Sequence, residues 1–120
     1  MNDAFAKFVG IEVLQATPQR SVCRLKLGPQ HLNGVGVVQG GVLFTLADLA
    51  LAVAANADDA DRVTLSSHID FLKGIGEGVI LAEATPIKIG KTTALYRVAV
   101  TDEQSGALLA NFQGTAFRIR

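Results

Sequence analysis

Residues 40–55 read GGVLFTLADLALAVAA, and this stretch decides the fold. Apolar side chains would lie on every side of a helix here, so we predict a core helix over roughly residues 41–56. Asp48 is the only formal charge between Leu27 and Ala57. Burying a carboxylate without partners costs free energy, so such a segment seldom keeps one for packing alone. Two interpretations stay open: a structural Asp that bonds to backbone or faces a subunit interface, or a catalytic carboxylate.

The rest of the chain alternates apolar and polar residues in segments separated by turn signals. Between residues 20 and 27, Cys23 and Leu25 alternate with charged residues, which is the period of a half-buried strand. We predict a short helix over 3–9, with Phe5 and Phe8 on one face, and strands over 11–17, 20–27, 62–72, 78–89, 92–102 and 107–119. One long helix within a run of strands predicts an α+β fold: a single domain, 1–120, with a curved antiparallel β-sheet around the central helix. Such a sheet cannot enclose the helix fully, so its edges and the uncovered helix face favour dimerisation.

Composition excludes several classes of protein. Eleven basic and eleven acidic residues cancel, and no Lys/Arg run occurs, so nucleic acid is not expected as a partner. A single cysteine, Cys23, excludes an intrachain disulfide and favours a reducing, cytoplasmic location, and residues 1–10 do not read as a signal peptide. The apolar run 41–57 is at the short limit for a membrane span and has Asp48 at its centre, so we expect no membrane partner.

Metal and nucleotide motifs are also absent from the sequence. His31 and His68 have no neighbouring ligands with zinc spacing, so no metal is expected. The glycines of segment 34–40 do not fit the spacing of a dinucleotide fingerprint, and residues 90–92 lack the upstream glycine of a P-loop. We therefore expect no cofactor.

A glycine-rich loop, residues 31–41, leads directly into the predicted helix. The pair Gly40-Gly41 at a helix N-terminus either makes a tight turn only, or exposes N–H donors that can stabilise an oxyanion on a carbonyl substrate. Eight helical residues separate Gly40 from Asp48, which is about 12 Å along the axis. One chain cannot bring both groups to one carbonyl. If both are catalytic, Asp48 must act with Gly40 of a second subunit.

Two consecutive patterns resemble a known family. They are His31-x-Asn33-Gly34-x-Gly36-x-x-Gln39-Gly40-Gly41 and Leu46-Ala47-Asp48-x-Ala50. Together they are similar to the signature of PaaI-like hotdog-fold acyl-CoA thioesterases. The resemblance continues through residues 69–72, Gly78, residues 90–92 and the turn at 102–106.

The resemblance implies a hotdog dimer, often paired into a tetramer, that hydrolyses an acyl- or aroyl-CoA thioester. Asp48 would be the nucleophile or the base that activates water, and Thr64 would position that water. The N–H of Gly40, next to Gly41, would polarise the thioester carbonyl, and Asn33 would position this carbonyl or the water. The segment from Lys88 to Thr92 would approach the pantetheine or phosphates of CoA, through Lys88, Gly90, Lys91 and Thr92.

Gln39 departs from the family pattern, which usually has His before the glycine pair. Gln donates and accepts hydrogen bonds but does not titrate near neutral pH. Besides the thioesterase, a non-catalytic acyl-CoA or fatty-acid binding module therefore stays open, and so does a hotdog dehydratase. The dehydratase is disfavoured because those enzymes pair an acid with a His, and none stands next to Gly40.

Overall fold

The computed structural model describes residues 3–120, so Met1 and Asn2 of the predicted domain lie outside the described residues. Its elements, in chain order, are α1 (Ala4–Val9), β1 (Glu12–Thr17), β2 (Arg20–Lys26), α2 (Gly40–Ala55), β3 (Arg62–Phe71), β4 (Val79–Ile89), β5 (Thr93–Asp102) and β6 (Leu108–Arg118). Each lies within one residue of its predicted bounds at both ends. The turn signals of the sequence therefore delimit each α-helix and strand, but they did not predict the short 3-10 helix Pro29–His31 in the loop before α2.

The six strands form one sheet in the order β1-β2-β4-β5-β6-β3, with every neighbouring pair antiparallel. The long helix α2 packs against all six strands, so the sheet curves around it. The α+β prediction is confirmed. The edges of the sheet are β1 and β3, and β3 carries a bulge between Thr64 and Ser66.

The core lies between α2 and the concave face of the sheet. The inward residues of the central strands include small side chains, such as Ala82, Ala84 and Ala110, that are fully buried. Helix and sheet lie close together at β6, where a Cβ added to Gly114 would lie 2.6 Å from Leu51 Cδ1. Cys23 belongs to this core, and burial raises the pKa of its thiol to about 11, so it stays protonated and unreactive at neutral pH.

One strip of α2 stays uncovered by the sheet. Leu46, Ala47 and Leu51 are fully buried, whereas Phe44 and Asp48 are only half-buried in the single chain. The predicted core helix is therefore covered on most of its circumference, but not around Asp48. Within residues 3–120, no helix has the length and apolarity needed to cross a membrane.

The short helix α1 lies on this open side of α2. Asp3 caps it through a hydrogen bond of 2.9 Å from Ala6 N–H to the carboxylate, and Gly10 ends it with a left-handed φ of 99°. Phe5 and Phe8 do not enter the core; they are 61% and 85% exposed, and Ala6 is the buried position. The spacing in the sequence defined a helical face but not which face turns inward.

Candidate active site

Asn33 orders the loop that leads into α2. Its Oδ1 accepts hydrogen bonds from the N–H groups of Val35 (3.0 Å) and Val37 (3.1 Å), and backbone bonds join Asn33 N–H to Val37 O and Gly36 N–H to Asn33 O. Gly36 completes the tight turn with a φ of 78°. The carbonyl of the Asn33 side chain is thus committed to the loop, and only its NH₂ group is left to bind a ligand.

The loop delivers two free donors at the start of α2. Gln39 is the N-cap residue, and its carbonyl accepts from Val42 N–H (2.9 Å) and Leu43 N–H (3.3 Å). No described residue accepts from the N–H of Gly40 or Gly41, as expected for the first turn of a helix. Both N–H groups lie at the positive end of the helix dipole, where they favour an anion or a developing oxyanion. The Gln39 side chain is exposed and makes no hydrogen bond to this cap.

Asp48 meets Thr64 in space. The Thr64 hydroxyl donates a hydrogen bond of 2.8 Å to Asp48 Oδ1, across sixteen residues of sequence. Within residues 3–120, Asp48 Oδ2 has no hydrogen-bonding partner, and Asp48 has no ion-pair partner. The carboxylate is therefore oriented through one oxygen and available through the other.

The C-terminal end of α2 is fixed to the start of β3, two residues before Thr64. Asn56 donates from Nδ2 to Ala52 O (2.8 Å) and Arg62 O (3.1 Å), and its Oδ1 accepts from Arg62 N–H (2.6 Å). The buried Arg62 guanidinium donates to Ala55 O (2.5 Å) and to the Asp58 carboxylate. This clamp holds helix and strand in one register. It was not predicted from the sequence, because only the fold brings Asn56 and Arg62 together.

Asp48 and Gly40 open into two different clefts. The first, which we call the Asp48 cleft, has a volume of about 200 Å³, and its lining residues are Asp3, Phe5, Ala6, Phe44, Thr45, Asp48, Leu49 and Ala52. The second, the Gly40 cleft, has a volume of about 330 Å³, and its lining residues are Val37, Val38, Gly40, Leu43, Phe71, Leu72, Lys73 and Gly74. A larger recess of about 440 Å³, at the other end of α2 by Asn56 and Arg62, contains neither group. The single chain therefore keeps the carboxylate and the free N–H donors apart, as the helix spacing predicted.

A comparison with known families assigns the chain to a family. Residues 35–108, more than half of the chain, match the family described as the thioesterase superfamily. The chain belongs to the thioesterase superfamily. The matched region includes Gly40, Asp48 and Thr64.

Comparison with individual proteins shows which members of the superfamily this thioesterase is similar to. It is similar to acyl-coenzyme A thioesterase PaaI of Escherichia coli K12, at 34% identity over 98% of this chain and 84% of that protein. The structure of E. coli PaaI, which comes from the phenylacetic acid degradation operon, has a TM-score of 0.93 over 99% of this chain and 86% of that chain, at 33% identity. The TT0310 protein of Thermus thermophilus has a TM-score of 0.92 at 38% identity, over 99% of this chain and all (100%) of its own.

A third structure contains a ligand. It is described as a hypothetical thioesterase from Streptococcus pneumoniae TIGR4 with coenzyme A, and has a TM-score of 0.88 at 28% identity over 96% of this chain and 90% of that chain. Together with PaaI, these likenesses confirm both the resemblance noted in the sequence and the hotdog fold. This chain is a PaaI-like hotdog thioesterase.

The hairpin between β4 and β5 lies outside both clefts of the thioesterase. Thr64 is in register with Ala116, Ala116 with Ala94, and Ala94 with Ile89. The hairpin is therefore at the Asp48 end of the sheet, about 10–14 Å from Thr64 at the usual strand spacing. Lys88, Lys91 and Thr92 are exposed on this hairpin, and Gly90 is half-buried at the turn. Neither lysine pairs with a carboxylate among the described residues.

His31 has a structural role in the thioesterase that sequence reasoning missed. It is 4% exposed, its Nδ1 accepts from Gly28 N–H (2.9 Å), and its Nε2 lies 2.7 Å from Val9 O. Since Val9 O can only accept, the ring is the neutral tautomer with its proton on Nε2. His31 therefore ties the end of α1 to the loop before α2. The sequence offered no signal for this role beyond the family pattern.

We expect His31→Ala to lower the free energy of unfolding by about 2 kcal/mol, because it leaves Gly28 N–H and Val9 O without their partner. Urea unfolding followed by circular dichroism measures this change. Gln30→Ala is the matched control in the same loop, since the Gln30 side chain is exposed and its removal should change stability by less than about 0.5 kcal/mol. Equal effects of the two substitutions would contradict the structural role of His31.

Proposed function

We propose that the protein hydrolyses acyl-CoA thioesters to a free acid and CoA, at a site that two chains build together. The arrangement of groups on β3 carries this proposal. Thr64, near one end of β3, bonds to Asp48. Phe71, at the other end, lies against Gly40, where an added Cβ would be 3.3 Å from Phe71 Cζ. Relatives that are named acyl-CoA thioesterases, and one structure that contains coenzyme A, support the choice of substrate.

β3 has the properties of a strand that pairs with a second copy of itself. It is a long edge strand, Arg62–Phe71, with one side unpaired in the single chain. Val63, Leu65 and Phe71 are each more than half exposed along it, and Leu72 follows with 56% exposure. An exposed apolar edge of this length favours strand pairing over solvent. We infer an antiparallel β3–β3 dimer about a two-fold axis across the middle of the strand.

This pairing would bring the separated groups together. Because the two strands run in opposite directions, the Thr64 end of one chain meets the Phe71 end of the other. Asp48 of one chain then faces the Gly40 cleft of its partner, and the symmetric dimer holds two such sites. Further pairing of dimers into a tetramer belongs to this proposal, as does a cytoplasmic location.

The chemistry of the site follows from the free groups. The carbonyl oxygen of the thioester would accept hydrogen bonds from the N–H of Gly40, with Gly41 beside it, so negative charge that develops on this oxygen is stabilised. Asp48 Oδ2 would take a proton from water, whose oxygen attacks the carbonyl carbon. The carbon–sulfur bond then breaks, and the proton passes to the CoA sulfur. Alternatively, Asp48 attacks the carbonyl carbon itself and the carbon–sulfur bond breaks, which releases the CoA thiolate. Water then hydrolyses the resulting anhydride to the free acid and regenerates the Asp48 carboxylate, and a proton from this water passes to the thiolate.

The remaining predicted residues have supporting roles in this proposal. The Thr64 hydroxyl orients Asp48 and its oxygen can accept a hydrogen bond from the attacking water. The NH₂ group of Asn33 is free to donate to the substrate, since its carbonyl is used by the loop. Lys88 and Lys91, with Gly90 and Thr92, would approach the phosphates of CoA.

A non-catalytic acyl-CoA binding module is the alternative, and Gln39 is the observation that favours it. The Gln39 side chain makes no hydrogen bond to the first turn of α2. Within one chain, it therefore does not take over a contact with this turn that the family's usual histidine would make. A binding module would use the same Gly40 donors and clefts without turnover.

Free-thiol release from a panel of short, long and aromatic acyl-CoAs separates the two functions. We expect the wild-type protein to release CoA with multiple turnovers. Saturable binding of acyl-CoA in isothermal titration calorimetry, without any thiol release across the panel, would replace the thioesterase by the binding module.

A further inference from the structure

One wall of the Asp48 cleft is formed by α1, which lies outside the core between α2 and the sheet. Phe5 and Ala6 of α1 line this cleft together with Asp48 and with Phe44, which lies one helical turn before Asp48 on α2. Phe44 is held in place by an edge-to-face contact with Phe112, with ring centroids 5.4 Å apart and an interplanar angle of 75°. Phe5 is 61% exposed, and within residues 3–120 its ring has no such aromatic contact. One aromatic wall is therefore rigid, and the other is presented by α1.

α1 also ends the cleft. A second cleft of about 200 Å³ lies beyond it, and Ala6 and Leu49 line both. The two clefts are therefore on either side of the place where α1 packs onto α2. An acyl group that enters beside Asp48 meets the Ala6–Leu49 contact instead of a continuous channel.

α1 is capped at its first turn and anchored to the rest of the protein at its last residue. The Asp3 carboxylate caps its first turn, and His31 binds the carbonyl of Val9, its last residue. His31 belongs to the same loop that presents Gly40. α1, the wall of the cleft beside Asp48, is thus attached through His31 to the loop that carries the free N–H of Gly40.

From this geometry we infer that α1 selects the acyl group of the substrate and that Phe5 is a specificity-determining residue. The inference rests on the proposed thioesterase activity. The cleft between Phe5 and Phe44 takes a compact acyl group, either a short chain or a single flat ring. A long alkyl chain is excluded because it would have to displace α1 from Leu49.

The test compares kcat/KM for acetyl-, benzoyl- and dodecanoyl-CoA in the wild type, Phe5→Ala, Phe5→Trp and Phe8→Ala. We expect the wild type to prefer the two compact substrates. Phe5→Ala should raise the dodecanoyl-to-benzoyl ratio of kcat/KM about tenfold, the effect of a changed apolar contact in a pocket. Phe5→Trp should lower turnover of benzoyl-CoA relative to acetyl-CoA. Phe8→Ala is the matched control on the same helix: Phe8 is 85% exposed and does not line the cleft, so the ratios should stay within about twofold of the wild type, roughly the scatter of such comparisons.

The outcomes separate this inference from the function on which it rests. A wild type that cleaves dodecanoyl-CoA as well as benzoyl-CoA overturns it, and so do Phe5 variants that behave like Phe8→Ala. A wild type that cleaves no thioester overturns the proposed function first and the role of α1 with it. Because Phe5 is largely exposed, we expect all four proteins to have the same thermal unfolding midpoint, which shows that the ratios do not reflect misfolding.

Discussion

Asp48→Asn is expected to lower kcat for thioester hydrolysis by at least about a hundredfold, the usual contribution of a positioned base or nucleophile. Asn cannot take a proton from water or attack a carbonyl, but its Oδ1 can still accept the hydrogen bond that the Thr64 hydroxyl donates at 2.8 Å. The substitution therefore removes the chemistry and keeps the contact between α2 and β3. Steady-state thiol release measures kcat, and calorimetric unfolding checks that the midpoint stays within a few degrees.

Asp59→Asn is the matched control for this prediction. Asp59 is exposed in the turn after α2, outside β3, and it lines neither the Asp48 cleft nor the Gly40 cleft. We expect its kcat to equal that of the wild type. Equal rates for wild type and Asp48→Asn would show that the carboxylate is structural, the other interpretation that the sequence left open.

Gly40→Pro should lower kcat by about a hundredfold as well, through a different group. Proline has no N–H, so the substitution removes one donor to the oxyanion, an effect of roughly 10²–10³ in characterised sites. The helix should persist, because proline is well tolerated at the first position of a helix and Gln39 before it is extended, with ψ of 133°. Gly40→Ala is the control: it places the same Cβ against Phe71 but keeps the N–H. A loss in Gly40→Ala as large as in Gly40→Pro would assign the effect to crowding by the Cβ.

The same two variants test whether the site is shared between chains. If Asp48 acts with Gly40 of the partner, a heterodimer of Asp48→Asn and Gly40→Pro holds one site with both groups intact. Random mixing during co-expression should then restore about one quarter of wild-type activity, since half of the dimers carry one intact site of two. A site contained in one chain predicts no recovery, and this result would contradict the β3–β3 dimer.

Local sequence patterns predicted the elements because each boundary has a local physical cause. Alternation at Cys23 and Leu25 marks a strand with one buried face, and glycines such as Gly78 and Gly106, with positive φ, mark the turns. The spacing of Gly40 and Asp48 follows from helical rise alone. Their separation into two clefts could therefore be predicted without the structure.

Other features depend on which distant residues meet, and the sequence carries no local signal for them. The order of the strands, with β3 at an edge, is set by burial of whole faces against α2. The inward face of α1 is decided by Ala6, which fits against α2, although Phe5 and Phe8 are more apolar. The contact of Thr64 with Asp48 was anticipated only through family resemblance, since sixteen residues and the Asn56–Arg62 clamp lie between them.

Gly114 has a consequence for how variation in this chain should be interpreted. It lies opposite Ser67 on β3, in the same part of the sheet as Thr64, and any Cβ there would press against Leu51 on the underside of α2. A larger residue would lift the helix and lengthen the path from the Thr64 hydroxyl to the carboxylate. In a mutational scan that selects for turnover, position 114 would therefore score with the reacting groups, although it has no side chain and lines neither the Asp48 cleft nor the Gly40 cleft. Intolerance to substitution at such a position reflects the close spacing of helix and sheet. It should not be taken as evidence that the residue takes part in catalysis.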